Sequence, residues 1–248
     1  MHKTGIAIRQ LINNRTAPAY KLAKNITKIL NQHISLNDHN NITNSVELAN
    51  ELTKLEVEEN HRSTTFDVRE LYVNVPIYET LNITKNKSLQ KVKSQMPQQI
   101  MSLLRVVLTQ KHFTFQQTIY QPNQGIAMGF PISSLIAEIF LQKYGDKNTS
   151  HLIDTKNIAY YARYVNDILI IFDTTKISLH YITRYINSIH SNINLNTIYE
   201  QQISIDFLEL TITRQHKKLE KHIQKAKCHG HNNQLPFKPP HRTKNGSL

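Results

Sequence analysis

Cysteine, long apolar runs and acidic residues are all scarce in this chain, and each shortage excludes something. The single cysteine, Cys228, rules out an intramolecular disulfide and suits a reducing compartment. Cys228, His229 and His231 fall together in "KCHGHNN", but zinc sites are usually built from two separated ligand pairs. No second pair is visible in the sequence, so a chance cluster is favoured. No apolar run approaches the roughly 18 residues of a membrane span, which argues against a membrane partner. "MHKTGIAIRQLINN" lacks the apolar stretch of a signal peptide, so an intracellular protein of nucleus or cytoplasm is expected, not a secreted one. Acidic residues number 18 against 30 Lys and Arg, a net charge of +12. That excess favours a polyanionic partner, nucleic acid before anionic membrane, although an Asn-, Lys- and Ile-rich composition from a biased genome would also produce it.

What is present suffices for a real core. With 248 residues, 39% of them hydrophobic, the chain can form one ordinary domain, or one domain and a partial neighbour. "TAPAYKLAKNITKILNQH" predicts a helix with Thr16 as N-cap, Pro18 in its first turn and a stripe of Leu22, Ile26, Ile29 and Leu30. "SVELANELTKLEVEEN" predicts a second, with Val46, Leu48, Ala49, Leu52 and Leu55 inward. "RSTTFDV" reads as a strand ending near Asp67, after which Pro76 breaks regular structure. "QQIMSLLRVVLTQ" reads as a helix and "HFTFQQTIYQ" as a strand or hairpin arm. "NQGIAMGFP" is a turn feeding the helix "ISSLIAEIFLQKYG", expected to stop at Gly145. "NIAYYARYV" and "DILIIF" form a hairpin, followed by the helix "ISLHYITRYINSIHSN" and strands in "IDFLELTITR" and "KLEKHI". The last twenty or so residues are polar and proline-containing and read as a frayed tail. There is no internal repeat. Interleaved helices and strands around one central hairpin predict an α+β domain, an antiparallel sheet backed by helices.

Two acids stand at the ends of β-like runs about a hundred residues apart: Asp67 in "TTFDVRELYVNVP" and Asp167 in "YVND". If sheet neighbours bring them together, the carboxylates repel unless a cation sits between them. Two divalent ions held in this way serve in-line attack on a phosphate. The plainer alternative is that each acid caps its own turn.

Five blocks in order, "HKTGIAIRQLINN", "FDVRELYVNVPIYETL", "NQGIAMGFPISSLIAEIFL", "YARYVNDILIIF" and "IDFLELTITR", resemble consecutive motifs of reverse transcriptases, most of all those of Penelope-like retroelements. The resemblance covers nearly the whole chain to about residue 225. It implies a right-hand polymerase palm over 61–225, partial fingers over 1–60, a polar tail over 226–248 and no recognisable thumb, which a missing domain or partner chain would supply. It implies RNA-directed DNA synthesis by nucleotidyl transfer, with an RNA template, a DNA or RNA primer, deoxynucleoside triphosphates and two Mg²⁺ or Mn²⁺ ions.

Within that resemblance Asp67, Asp167 and the backbone carbonyl of Val68 are metal ligands. Tyr72 matches the aromatic gate that crowds a ribose 2′-hydroxyl. Gly125, Met128 and Gly129 line the nucleotide, Arg9 clamps its triphosphate (Lys3 assisting), and Tyr164 lies under the primer terminus. Phe207 and Leu208 belong to a later palm block and are structural. Glu138, Asp173 and Asp206 fit no catalytic position and are expected on solvated faces. The pattern breaks at Asn166, where the family carries a second aspartate. A unit charge lost about 4 Å from another is worth roughly 4 kcal/mol at an effective dielectric near 20. Phe130 replaces a usually small residue before Pro131, and Gln10 follows Arg9 where proline is expected. The expectation is a truncated reverse transcriptase domain with catalysis weakened or lost. The alternative is a non-catalytic nucleic-acid-binding remnant of one; a nucleotide cyclase or an unrelated basic structural protein fits the blocks less well.

Overall fold

The computed structural model describes residues 17–36, 40–89, 96–110, 112–154, 157–215 and 218–223. In chain order the elements are α1 (Ala19–His33), α2 (Ser45–Leu52), β1 (His61–Val68), α3 (Leu71–Asn74), α4 (Ile77–Leu89), α5 (Met96–Thr109), β2 (Phe113–Phe115) and β3 (Thr118–Tyr120). They continue with α6 (Ser133–Asp154), β4 (Ile158–Tyr164), β5 (Asp167–Asp173), α7 (Leu179–Ser188), β6 (Leu195–Tyr199), β7 (Ser204–Phe207), β8 (Leu210–Gln215) and β9 (Lys218–Ile223). They fall into two compact units that do not follow chain order. One comprises Met1–Asn37, Glu70–Lys147 and His190–Ile193; the other comprises Asp38–Arg69, Asn148–Ile189 and Asn194–Leu248.

The second unit is built on a four-stranded antiparallel sheet in the order β4-β5-β1-β6. The sequence of β5, "DILIIFD", is almost continuously apolar because both of its faces are covered. Leu169 and Ile171 point to one core, with Leu48, Ala49 and Leu52 of α2 and with Ile205, Phe207, Leu210 and Ile212 of the sheet β7-β8-β9. Ile168, Ile170 and Phe172 point to the other, with Phe66 of β1, Leu152 near the end of α6, and Ile182 and Ile186 of α7. Asn44 starts α2 by accepting from the Glu47 N–H at 2.8 Å, and Ser178 does the same for Tyr181 of α7 at 3.2 Å.

The first unit packs α5 against α1 and α4. The β2-β3 pair is a separate two-stranded ribbon. His190 and Asn192, on the connection from α7 to β6, are anchored here. His190 Nε2 lies 3.2 Å from Glu79 Oε2, its Nδ1 accepts from the Asn192 N–H at 3.0 Å, and Asn192 Nδ2 donates to the Asn74 carbonyl at 2.9 Å. The Tyr144 hydroxyl donates to the other Glu79 oxygen.

Several boundaries differ from the sequence-based expectation. Pro18 stands at the N-cap of α1, whose buried stripe is Ala23, Ile26 and Leu30; Thr16 lies outside the described residues. Val46 is 67% exposed, and α2 ends at Leu52. Pro76 breaks one helix but begins the next: its carbonyl accepts the Thr80 N–H at 2.9 Å, so α4 follows at once. α6 runs through Gly145, where an added Cβ would meet open space, and reaches Leu152, which is buried. Burial downstream outweighs the glycine penalty of about 1 kcal/mol. β6, "LNTIY", carries too little apolar alternation to be read as a strand; the sheet edge recruits it.

Candidate active site

β1 pairs with β5 so that Asp67 stands directly opposite Asp167. The Val68 N–H donates to the Asn166 carbonyl at 3.0 Å, which makes Val68 and Asn166 the hydrogen-bonded pair and Asp67 and Asp167 the adjacent non-hydrogen-bonded one. In such pairs side chains approach most closely, with Cβ atoms about 4.5–5.5 Å apart, and like charges destabilise the sheet. The row extends across all four strands: Tyr164 lies opposite Asp167, and Asn196 lies opposite Asp67. Tyr164 packs against the core that contains Leu169 and Ile171. Tyr164, Asp167, Asp67 and Asn196 therefore share one sheet face, at the end where the β4-β5 hairpin turns.

The turn is strained. Val165 has φ +54°, a left-handed conformation that β-branched residues rarely adopt. With φ positive at the first central residue and not at Asn166, the two-residue loop follows the II′ pattern, whose first position ordinarily takes glycine. Arg163, only 3% exposed, holds the turn from beneath by donating Nη1 to the Val165 carbonyl at 3.0 Å. Its backbone is fixed on both sides, receiving the Ile42 N–H at 3.0 Å and donating to the Asn40 carbonyl at 2.9 Å. Neither Arg163 nor Asn196 was singled out from the sequence. The signal for Arg163 was a charge inside an apolar strand; for Asn196 there was none until β6 was known.

Asn166 turns its amide toward β1, where Nδ2 donates to Asp67 Oδ1 at 2.7 Å. Asparagine has the shape of the expected aspartate but supplies N–H donors that a carboxylate lacks, so one oxygen of Asp67 is engaged by the neighbouring side chain. Among the described residues there is no group of three or more His, Cys, Asp or Glu that could hold a metal ion. The pair Asp67 and Asp167 remains a suitable donor set for one Mg²⁺, which commonly takes one or two carboxylates and completes its shell with phosphate oxygens and water.

The opposite end of β5 shows what a structural carboxylate looks like here. Asp173, expected on a solvated face, is 3% exposed. It accepts from Asn60 Nδ2 and the Thr175 hydroxyl at 2.6 Å each and from the Thr175 N–H at 2.9 Å, with Lys176 Nζ at 3.0 Å. The Thr175 hydroxyl bond, with Lys176 and the Thr175 N–H adding to it against partial desolvation, holds its carboxyl well below the usual range. Asp206 is exposed as expected and accepts from Thr211.

Tyr72, Gly125, Met128 and Gly129 belong to the first unit. Tyr72 is half-buried on α3, its carbonyl accepting the Ile126 N–H at 2.8 Å and its hydroxyl 3.5 Å from Ser134 Oγ. Gly125 has φ +73°, and a Cβ there would lie 2.3 Å from the Val73 carbonyl oxygen and 2.5 Å from that of Tyr72. Its need for glycine thus comes from the α3 backbone packed behind the loop. Gly129 is exposed with φ +86°, and Met128 is half-buried beside it. Phe130 lines a cleft of about 330 Å³ with Val107, Leu108, His112, Ile126 and Ser133 among its other walls. Phe207 is buried and Leu208 packs against the same core. Arg9, Lys3, Gln10 and the Cys228, His229, His231 cluster lie outside the described residues. No helix among the described residues is long and apolar enough to cross a membrane.

No protein-family profile matches the sequence. No curated protein is similar to it at the sequence level. The fold, however, is shared with solved polymerases. Telomerase from Candida albicans, in complex with a fragment of telomeric RNA, superposes with a TM-score of 0.61 at 14% identity, over 82% of this chain and 39% of that one. Apo telomerase from Candida tropicalis, truncated of its C-terminal domain, gives 0.58 at 14% identity over 83% and 45%. The BmCPV RNA-dependent RNA polymerase in its quiescent state gives 0.53 at 14% identity over 78% and 19%. The chain therefore spans less than half the length of each of these proteins, and it has a polymerase-like fold.

Proposed function

We propose that this chain is a reverse transcriptase domain of the Penelope-like type, acting on an RNA template with a DNA or RNA primer and deoxynucleoside triphosphates, and impaired by Asn166. The observation that supports it most is the opposition of Asp67 and Asp167 beside a hairpin tip, on a sheet whose fold is shared with telomerase. Asp67, Asp167 and the Val68 carbonyl would hold Mg²⁺ or Mn²⁺, which when bound supplies Lewis-acid activation and charge neutralisation for attack on an α-phosphate.

The chain's own residues then divide the work. Asp67 and Asp167 concentrate negative charge on one sheet face. Asn166 withdraws part of it by donating an N–H to Asp67 where an additional carboxylate would serve. Tyr164 floors the row under a primer terminus, Tyr72 excludes a 2′-hydroxyl by bulk, and Gly125, Met128 and Gly129 shape the nucleotide side. Arg9 takes the triphosphate.

Primer extension on an RNA template with Mg²⁺ tests this. Slow incorporation by the natural chain, a gain on the order of a hundredfold in Asn166→Asp, and none in Asp67→Asn or Asp167→Asn are expected, from a residual few kcal/mol of lost charge. Incorporation that survives Asp67→Asn overturns the assignment.

The Asn166–Asp67 hydrogen bond also favours a second reading, a non-catalytic nucleic-acid-binding domain. It predicts steeply salt-dependent binding and no incorporation even in Asn166→Asp.

A further inference from the structure

The β2-β3 ribbon has no role in the site described above, yet its surface is unusual. Phe113 and Tyr120 stand directly opposite one another, their rings 5.5 Å apart and within 19° of parallel. Tyr120 is 45% exposed and Ile119, on the other face, 71%. With three residues in each strand, the ribbon cannot bury these groups on itself. Its tip is Gln116-Gln117, both with positive φ (+48° and +63°), where Asn-Gly would sit without strain. The tip thus presents two long amides where turn chemistry alone asks for small residues.

Charge identifies what would cover such a surface. From Met1 to Asn37 the sequence contains no Asp or Glu, and between Glu79 and Glu138 there is again none. Each stretch carries six Lys and Arg, and the two supply most of the first unit. A stacked aromatic pair, Tyr120 exposed and Phe113 half-buried, on a ribbon with amides at its tip and in a sequence region free of acids, matches what unpaired bases require. Bases stack on aromatic faces irrespective of sequence while cationic side chains track the phosphates. A duplex, whose base faces are already stacked, has no use for it.

We propose that the β2-β3 hairpin is a stacking platform for single-stranded nucleic acid, with Phe113 and Tyr120 as the base-contacting residues. This rests on reading the chain as a nucleic-acid polymerase domain. Fluorescence anisotropy with single-stranded oligo-U and with a matched duplex, in EDTA so that no chemistry intervenes, tests it on the whole chain. Phe113→Ala and Tyr120→Ala should each weaken single-strand binding about tenfold. Duplex affinity and the slope of log K against log salt should stay unchanged, and Tyr120→Phe should restore binding. A 2-aminopurine oligonucleotide bound to the natural chain should lose fluorescence by stacking, a readout that does not depend on the variants folding. Unchanged affinity in the double variant, equal loss on duplex, or unquenched 2-aminopurine at saturation overturns the platform. If the natural chain binds no nucleic acid at all, the polymerase reading falls with it. If it binds but ignores these rings, only the platform falls.

Discussion

The amide of Asn166 donates to the carboxylate of Asp67 at 2.7 Å, tying the tip of the β4-β5 hairpin to the end of β1. This bond relieves part of the repulsion that opposing Asp67 to Asp167 creates. Replacing it by a third carboxylate should destabilise the protein in EDTA by about 1–2 kcal/mol, since a hydrogen bond is lost and like charges are added. Mg²⁺ should then raise the melting temperature of Asn166→Asp more than that of the natural chain, by mass action on the folded state. Calorimetry with and without the ion measures both effects. Identical shifts in the two proteins would remove the electrostatic argument.

Val165 strains the same turn. Val165→Asn keeps the positive φ with a residue that tolerates it and should stabilise the protein by about 0.5–1 kcal/mol in urea unfolding. A loss of stability there would mean that the valine side chain contributes packing that outweighs its backbone strain.

Gly125 has no room for a side chain. Gly125→Ala should cost at least about 2–3 kcal/mol, because the new Cβ meets the Val73 carbonyl and φ is positive. Gly129→Ala, at an exposed position, should cost less. Equal costs in thermal melts would show that backbone conformation, not the α3 backbone behind the loop, dominates at Gly125.

Asp173 carries a pH dependence. Its folded-state pKa lies below the unfolded value, so its contribution is present at neutral pH. That contribution is lost as pH falls below the ordinary carboxylate range of about 4 toward its lowered value. Asp173→Asn should reduce stability at neutral pH and flatten the acid limb of the stability curve. A parallel acid limb in both proteins would assign that limb to other carboxylates.

Tyr144 titrates late. Burial, the hydrogen bond to Glu79 and that carboxylate's charge push its hydroxyl up to about 12. Because the folded value is raised, the stabilising effect is complete below about pH 10 and fades as pH climbs through about 12. In an ultraviolet phenolate titration, Tyr144→Phe should remove the component at about 12 and leave that of Tyr160, whose hydroxyl is pushed up further still by burial and by its hydrogen bond to Glu51.

The parts of the fold legible in the sequence were those whose signal is local. The hairpin of "NIAYYARYV" and "DILIIF", the helix within "ISLHYITRYINSIHSN" and the strand "RSTTFDV" ending near Asp67 are all present. The pairing of Asp67 with Asp167 was reachable by supposing that two distant strand ends meet, and through the resemblance that makes both of them metal ligands. What stayed hidden depends on neighbours that a linear reading does not contain. Gly145 does not end α6, because Leu152 is buried beyond it. Pro76 starts a helix because Thr80 is in position to donate to its carbonyl. The polar strand β6, and with it Asn196, exists because β1 offers an open edge. The role of Arg163 depends on the Val165 carbonyl that its guanidinium reaches across the turn.

The placement of β1 has a consequence for biosynthesis. Its partners β5 and β6 are translated about a hundred and more residues after it, so the strand ending in Asp67 leaves the ribosome with no companion and waits several seconds at ordinary elongation rates. During that interval "STTF" is an unprotected β-prone segment. Folding yield should therefore depend on chaperones that shield it, and slowing translation between residues 70 and 160 should increase aggregation rather than relieve it.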